Sequence, residues 1–288
     1  MKVFLRRASP WPLAGFSFLA TSLILFVVSA ISGFPGIGPG FFPALAITVI
    51  INIIATFLLY RALRETDLSL CLPMLAFTPV FLILTSFFIL GELPSVPGAI
   101  GILLVVAGAY MLHLEYCRGR PVSFIGPFRT LRRDRGVQMT LFVAFLYSIS
   151  VNYDKQVVIG SDPVFGAAVT TFLIALPFLM VTLFLWARRP LPYRGRKSSF
   201  PRMPADRPYP VPIPFAYLII GAVLALESVS INTAYTLTLV PYVITVKRLA
   251  IFFSVLYGGF LIGERNLGGR VLGGMVMIAG AVIIGLLG

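Results

Sequence analysis

The feature that most constrains this chain is an apolar stretch from Leu239 to Glu264 that contains two adjacent cations. About 20 residues at 1.5 Å rise cross the ~30 Å hydrocarbon core of a bilayer, so the stretch is long enough to span a membrane as a helix. Lys247 and Arg248 lie about eight residues from its start, roughly 12 Å deep and close to the bilayer midplane. Charges at that depth are costly, and we therefore expect the pair to face protein, water or a ligand rather than lipid.

Glu227 is the candidate counter-charge for this pair. It lies about nine residues before the turn that leads into the charged span, roughly 14 Å from the same membrane face, so it is expected at matching depth on the preceding antiparallel helix. One carboxylate neutralises only one of two cations. The sequence leaves open a purely structural pairing, but it favours a substrate site in which net positive charge remains for a ligand.

Composition sets the class of the protein. Hydrophobic residues make up 58% of the 288 residues and charged residues 11%, and apolar runs of membrane-spanning length recur. This predicts an all-α, polytopic helical membrane protein. The net charge of +13 lies in loops, where membrane topology explains it, so we discard nucleic acid as a partner. Cys71 in an apolar run and Cys117 in a basic loop support neither a disulfide framework nor a zinc site, and no metal or cofactor is expected.

Nine apolar runs are interpreted as membrane spans. Of the 23 Lys and Arg residues, 20 lie in the N-terminal tail and in segments on one side of the membrane, among them the segment 263–270 and two long basic loops at 115–138 and 188–212. The positive-inside rule then places the N-terminus in the cytoplasm and Gly288 outside. The spans are residues 13–32, 41–60, 70–90, 97–114, 139–158, 164–187, 213–236, 239–262 and 269–287.

The chain contains an internal repeat. A shift of 172 residues lays Phe-Ile-Leu-Gly-Glu, ending at Glu92, over Phe-Leu-Ile-Gly-Glu, ending at Glu264. The same shift lays Ala-Gly-Ala at 107–109 over 279–281. We predict a first repeat of four spans at 1–114, a basic linker at 115–138 and a second repeat of five spans at 139–288. Repeats of this kind are typical of secondary transporters, whose substrate site lies between the halves.

Small and acidic residues near the span ends are interpreted structurally. Glu92 and Glu264 each follow a glycine, and we expect them to be helix caps or interfacial residues rather than proton carriers. The spaced glycines are expected to be close helix-packing sites, and they leave open whether the protein is a monomer or a homodimer. These glycines are Gly98, Gly101, Gly108, Gly269, Gly273 and Gly280.

The segment ALRETDLSLCLPMLAFTPVFLILTSFFILGELPSVPGAIGILLVVAGAYML, with its counterpart from Asn232 onward, resembles the EamA-type repeat of the drug/metabolite transporter (DMT) superfamily. The resemblance covers nearly the whole chain and implies two inverted repeats, alternating access and a bacterial inner (plasma) membrane. Members usually have ten helices. Here the leading helix of the first repeat is missing, so either the protein has nine spans or its true start lies upstream of Met1.

The charges resemble a narrower group. In the sugar-phosphate translocator branch, a Lys on the first helix of the second half and a Lys-Arg pair on its fourth helix bind phosphate. Lys155 and the pair Lys247-Arg248 match those positions, which implies an anionic group on the substrate. The assignment is chemically sensible, because Arg offers a planar fork to a carboxylate or phosphate and Lys a compact charge.

Polar side chains at helical spacing complete the candidate site. Ser148, Asn152 and Lys155 form one stripe, and Ser150 and Asp154 form a second on the same helix. Lys155 lies about four residues from the end of its span, so its stem could also carry the ammonium to the interface. A further stripe that contains Asn232 accompanies Glu227. The predicted substrate-binding residues are Lys247, Arg248, Glu227, Lys155, Asn152 and Asn232.

Three classes of function remain open for such a chain. The sequence best fits a secondary transporter of a small anionic or zwitterionic metabolite, which either couples to protons or exchanges substrates. A flippase for a lipid-linked sugar is the alternative. An integral membrane enzyme is disfavoured, because the chain shows no His cluster, paired carboxylate site, nucleophile motif or phosphate loop.

Overall fold

The computed structural model describes residues 10–66, 68–116, 134–187, 213–253 and 268–288, and these residues are helical with short connections. The predicted all-α, polytopic helical membrane protein is confirmed. Most of the basic loops at 115–138 and 188–212, together with Cys117 and Glu264, lie outside the described residues. The helices are α1 (Pro10–Ser32), α2 (Phe41–Glu65), α3 (Leu68–Leu75), α4 (Thr78–Leu90), α5 (Val96–Tyr116), α6 (Arg135–Ile159), α7 (Pro163–Ala187), α8 (Ile213–Leu237), α9 (Val240–Lys247) and α10 (Gly268–Leu287).

Six helical stretches in the described part of the chain are long and apolar enough to cross a membrane. They lie in α1, α2, α6, α7 and α8 and in the combined run Pro73–Leu90 of α3 and α4. Helices α5 and α10 carry shorter apolar stretches, Val96–Leu112 and Leu272–Leu287. The expected span at 239–262 is described only as far as residue 253, so the count of nine spans stays a prediction.

The helix ends follow the spacing of the internal repeat. Two pairs of helices end 172 residues apart along the chain. The residue identities that define the repeat lie elsewhere, near Glu92 and Glu264, so the matching helix ends are a separate observation. The pairs are α2 with α8 (Glu65 and Leu237) and α3 with α9 (Leu75 and Lys247).

The chain divides into two compact units that cut across the sequence repeats. The first unit comprises residues 1–35 and 163–230, and the second comprises residues 36–162 and 231–288. In the first unit α1 packs along α7. Thr21 in α1 donates a hydrogen bond to the Gly221 carbonyl in α8, at 3.2 Å. The larger second unit contains α2 to α6, the end of α8, α9 and α10.

Helices α5 and α10 cross at repeat-related glycines in the second unit. A Cβ on Gly101 would lie 2.7 Å from the Gly280 carbonyl oxygen, and one on Gly108 would lie 2.5 Å from the Gly273 carbonyl oxygen. Both approaches are too close for any side chain. The expected close helix-packing role is therefore confirmed for these four glycines, and Gly98 has the same role against Tyr242.

Helix α3 ends at a break that proline explains. Two backbone N–H groups donate to carbonyls three residues earlier instead of four. The Ala76 N–H donates to the Pro73 carbonyl and the Phe77 N–H donates to the Met74 carbonyl, both at 3.2 Å. Pro79 has no N–H, so it cannot donate to the Leu75 carbonyl four residues earlier. The Thr78 hydroxyl donates to that carbonyl instead, at 2.8 Å. We call Ala76–Phe77 the first break.

Helix α9 ends at the equivalent position without a proline nearby. The helix expected through the charged pair is interrupted by a tight turn: α9 ends at Lys247, and Arg248, its C-terminal cap, keeps right-handed helical backbone angles (φ −65°, ψ −19°). The Arg248 N–H donates to the Thr245 carbonyl at 3.0 Å, which tightens the last turn. The Thr245 hydroxyl also donates back to the Pro241 carbonyl at 2.6 Å, a contact that bends helices. The helix resumes at residue 249, and we call Arg248 the second break.

Candidate substrate site at the second break

The two cations occupy different environments at the second break. Lys247 is exposed, whereas Arg248 is half-buried. The Nε–H of Arg248 is fully buried and has no hydrogen-bond partner among the described residues. An unsatisfied donor on a charged group is costly, since it has lost its water without gaining an acceptor. A ligand oxygen at this point would remove that cost.

Arg248 interacts with a hydroxyl group of α6 that is itself bonded to α2. The Arg248 guanidinium interacts electrostatically with the Tyr147 side chain of α6. The Tyr147 hydroxyl is in turn hydrogen-bonded to Thr56 of α2. The Tyr147 hydroxyl is therefore positioned by Thr56 within electrostatic reach of the guanidinium, and it supplies a neutral polar group there.

Lys247 interacts electrostatically with Asp154, which lies two turns further along α6 than Tyr147. Asp154 belongs to a hydrogen-bonded group on α2 and α6 that we call the carboxylate cluster: Thr48, Asn52, Ser150 and Asp154. Thr48 Oγ1 lies 2.5 Å from Asp154 Oδ1 and 2.8 Å from Ser150 Oγ. Asn52 Nδ2 donates to Ser150 Oγ at 2.6 Å. The cluster thus holds the carboxylate that opposes Lys247.

Asn152 lies in a buried seam between α4 and α6. Its side chain is fully buried. Its Oδ1 accepts from Ser86 Oγ at 2.6 Å, and its Nδ2 donates to Thr85 Oγ1 at 3.2 Å and to the Ser148 carbonyl at 2.7 Å. Both ends of the amide are satisfied by protein. The observed contacts of Asn152 are those of a helix-packing residue.

Lys155 and Glu92 form a salt bridge at the start of α9. Lys155 Nζ lies 2.6 Å from Glu92 Oε1 and donates to the Thr238 carbonyl at 2.9 Å. The second oxygen of Glu92 accepts the Val240 N–H at 2.9 Å, at the N-terminus of α9. Gly91, with φ of 71°, ends α4 in the left-handed conformation and turns the chain into Glu92. The expected capping role is therefore confirmed for Glu92, and Lys155 is held with it.

The remaining two candidates lie on α8. Glu227 is exposed and belongs to the first unit, whereas Asn232 is half-buried and belongs to the second. Both side chains make further contacts. A substrate-binding role for either residue stays a prediction.

Sequence reasoning singled out Lys247 and Arg248 but not the polar side chains that interact with them. The structure brings Arg248 and Lys247 together with Tyr147 and Asp154, and Asn152 and Lys155 lie in other contacts. A signal was present in the sequence. Tyr147, Ser150 and Asp154 follow i, i+3, i+7 spacing, and Thr48, Asn52 and Thr56 follow i, i+4, i+8 spacing inside an apolar run.

Comparison with known proteins agrees with this architecture. The EamA-like transporter family model matches residues 1–114. The match covers 114 of the 288 residues, so this part of the chain is similar to an EamA-like transporter. Together with the six long apolar helices, the match identifies the chain as an integral membrane protein.

A crystal structure of another protein shares the fold. It aligns with 98% of this chain and 90% of its own, with a TM-score of 0.74 and 14% sequence identity. At that identity the likeness concerns the fold alone. No curated protein matches the sequence.

Proposed function

We propose that this protein is a secondary transporter of a small anionic metabolite and that it binds the anionic group at the second break. The observation that carries the proposal is the buried Nε–H of Arg248, which lacks an acceptor among the described residues. A carboxylate or phosphate can accept from Nε and from a terminal nitrogen of the same guanidinium, in a bidentate pair. The orphaned donor is thus in the position where such a group would bind.

The helix break supports the same assignment. Irregular backbone within a membrane span is tolerated where it is buried in protein or lines a cavity, and discontinuous helices form the sites of many transporters. The two breaks lie at repeat-related positions, which is the arrangement expected for two repeats that alternate between equivalent conformations. We assign the anion to the second break because, of the two breaks, it is the one that carries Lys247 and Arg248.

The local charges favour an anion over a zwitterion or a neutral molecule. Lys155 is matched by Glu92, so it adds no net charge to the site. Asp154 interacts electrostatically with Lys247 and offsets the charge of that residue. The charge of Arg248 is accompanied by an Nε–H that has no acceptor among the described residues. A bound monoanion would neutralise this charge, whereas a neutral substrate would leave it at depth in the membrane.

The test is thermal stabilisation of the detergent-purified protein across a panel of small carboxylates, phosphates, zwitterions, neutral sugars and lipid-linked sugars. A ligand at 100 times its Kd raises the free energy of unfolding by about 2.7 kcal/mol. We expect anions to stabilise the wild type and to lose that effect in Arg248→Ala. The matched control is Arg135→Ala, which removes an exposed cation at the start of α6. Selective stabilisation by neutral or lipid-linked sugars, or by anions equally in Arg248→Ala, would contradict the proposal.

A further inference from the structure

The hydroxyl groups of the carboxylate cluster can form two hydrogen-bond patterns, one with Asp154 ionised and one with Asp154 protonated. Helix packing alone does not require this. Asn52 Nδ2 lies 3.0 Å from the Thr48 carbonyl oxygen, 3.1 Å from Thr48 Oγ1 and 2.6 Å from Ser150 Oγ, so its protons are directed into the cluster. With Ser150 accepting from Asn52, the Ser150 hydroxyl can donate to Thr48 Oγ1 at 2.8 Å. The Thr48 hydroxyl can then donate to Asp154 Oδ1 at 2.5 Å. This chain of donors satisfies an ionised carboxylate.

The same heavy atoms also satisfy a protonated carboxyl group. If Asp154 carries a proton, it donates to Thr48 Oγ1 across the same 2.5 Å contact. The Thr48 proton is then free to rotate toward the Ser150 carbonyl, which lies 3.4 Å away. Hydroxyl groups allow this reversal because each is both a donor and an acceptor. The cluster can therefore exchange one proton with little movement of its heavy atoms.

Occupancy of the anion site would change the charge that Asp154 experiences. In the empty site the ionised carboxylate is a counter-ion for Lys247. An anion bound at Lys247 and Arg248 takes over that role and repels a neighbouring carboxylate, which favours its protonated form. The other charged and titratable groups whose side chains are described on α6 and the helices packed against it are Tyr60, Arg61, Cys71, Arg135, Tyr147, Tyr153, Lys155 and Tyr242, of which Lys155 is paired with Glu92.

We propose that Asp154, held by Thr48, Asn52 and Ser150, takes up one proton when an anion binds at Lys247 and Arg248. The inference rests on the proposed function and adds the coupling ion to it. The proton enters from the side of the membrane on which the anion binds and leaves with the anion on the other side. Linkage is reciprocal, so lowering the pH tightens anion binding by the same factor by which the anion favours protonation.

The experiment measures protons taken up per anion bound, by calorimetry of the purified protein in buffers of different ionisation enthalpy. Sulfate is the probe, because it carries two charges in the geometry of a phosphate and does not titrate near neutral pH. We expect uptake approaching one proton per sulfate in the wild type. Where one proton is fully linked, sulfate affinity falls about tenfold per pH unit. In Asp154→Asn we expect proton uptake to vanish while sulfate still binds with pH-independent affinity.

The matched control is Asp134→Asn, which replaces a carboxylate by an amide at the N-cap of α6 and should leave proton uptake unchanged. Sulfate binding that depends on Arg248 but takes up no proton, or uptake that persists in Asp154→Asn, would overturn the coupling and leave the proposed function standing. Failure of sulfate to bind the wild type would count against the anion site itself and remove the basis for coupling. Should Asp154→Asn not fold, the wild type still decides: an infrared band of a newly protonated carboxyl must appear when sulfate is added.

Discussion

The two breaks share a backbone feature but not its chemistry. The first break is made by proline and is closed by apolar packing, with Ala76 buried in a cluster that includes Val105, Ala109 and Met277. The Leu75 carbonyl, which Pro79 leaves without a backbone donor, accepts from the Thr78 hydroxyl. The second break has no proline and carries Lys247 and Arg248 instead. The two repeats have the break at equivalent positions. The first break is surrounded by apolar side chains, whereas the second carries two cations.

This difference shows where a ligand is needed. At the first break the described residues complete the hydrogen bonding themselves, so the break is stable as it stands. At the second break the Arg248 Nε–H remains without an acceptor. Residues that follow it, Leu249, Ile251 and Phe252, pack against the cluster around Ala76. The apolar break therefore provides a fixed support for the charged one.

The largest expected effect is on Arg248. Arg248→Ala removes both the charge and the fork, and it should abolish measurable anion binding. Arg248→Lys keeps the charge but loses the bidentate geometry, and it should weaken binding by about 1 to 3 kcal/mol, or roughly 5- to 150-fold. Counterflow or binding in proteoliposomes, with an anion identified by thermal stabilisation, measures both. Unchanged affinity in two folded variants would make the paired cations structural and erase the difference between the breaks.

The next effect concerns the glycine crossing that both repeats share. In Gly108→Ala the new Cβ would meet the Gly273 carbonyl oxygen at 2.5 Å and the Met277 backbone nitrogen at 2.9 Å, so α5 and α10 must separate. We expect a loss of about 1 to 3 kcal/mol in stability and a lower Tm in detergent. Gly285→Ala is the matched control, because nothing lies within 4 Å of its Cβ position. Equal Tm values for the two variants would show that the crossing tolerates a side chain.

A smaller effect tests whether the first break is purely structural. Thr78→Val removes the hydroxyl that donates to the Leu75 carbonyl and leaves that part-buried carbonyl without its side-chain donor. The expected cost is about 1 kcal/mol of stability. Anion affinity should not change. A fall in affinity comparable with that of Arg248→Lys would mean that the first break also takes part in binding and is not purely structural.

The backbone plan was largely predictable from the sequence. Apolar runs predicted the positions of the helices, and residue identities near Glu92 and Glu264 predicted the shift that two pairs of helix ends share. The break at Arg248 was not predicted, since no proline marks it and its cause is the tight turn around Thr245. The position of such a break depends on which backbone and side-chain hydrogen bonds form. Residue spacing does not reveal them.

The candidate site was predictable only in part. Lys247 and Arg248 stand out because cations at midplane depth are costly. Asn152 and Lys155 share a stripe in the sequence, but spacing alone could not tell that this stripe faces α4 and Glu92 rather than the cations. The partner of a polar residue is decided by the neighbouring helix. The carboxylate cluster shows the same point, because Asp154 is held by Thr48 from α2, more than a hundred residues earlier in the chain.

The smallest effect concerns α6, the helix that supplies Tyr147 and Asp154 to the second break. Asp134 caps its first turn by accepting from the Gly136 and Val137 N–H groups, at 2.8 and 3.2 Å. A hydrogen bond from the Thr66 hydroxyl, followed by these two backbone bonds, lowers the pKa of Asp134 below its usual value. A carboxyl group with a lowered pKa in the folded state stabilises the fold above its unfolded pKa of about 3.9, and that contribution is lost as the pH falls through the lowered value.

Asp134→Ala should therefore lower the free energy of unfolding by about 1 kcal/mol at neutral pH, because the N-cap is lost. Asp134→Asn keeps a capping side chain and should lower it less. Denaturation measured from neutral to acidic pH checks the sign: the advantage of the wild type over Asp134→Asn should shrink on acidification. Since α6 positions Tyr147 and Asp154, Asp134→Ala should lower stability while anion affinity in the folded fraction stays the same. A constant difference across the pH range would show that the Asp134 carboxylate charge contributes nothing beyond its cap. A parallel loss of affinity would show instead that the start of α6 is coupled to the second break.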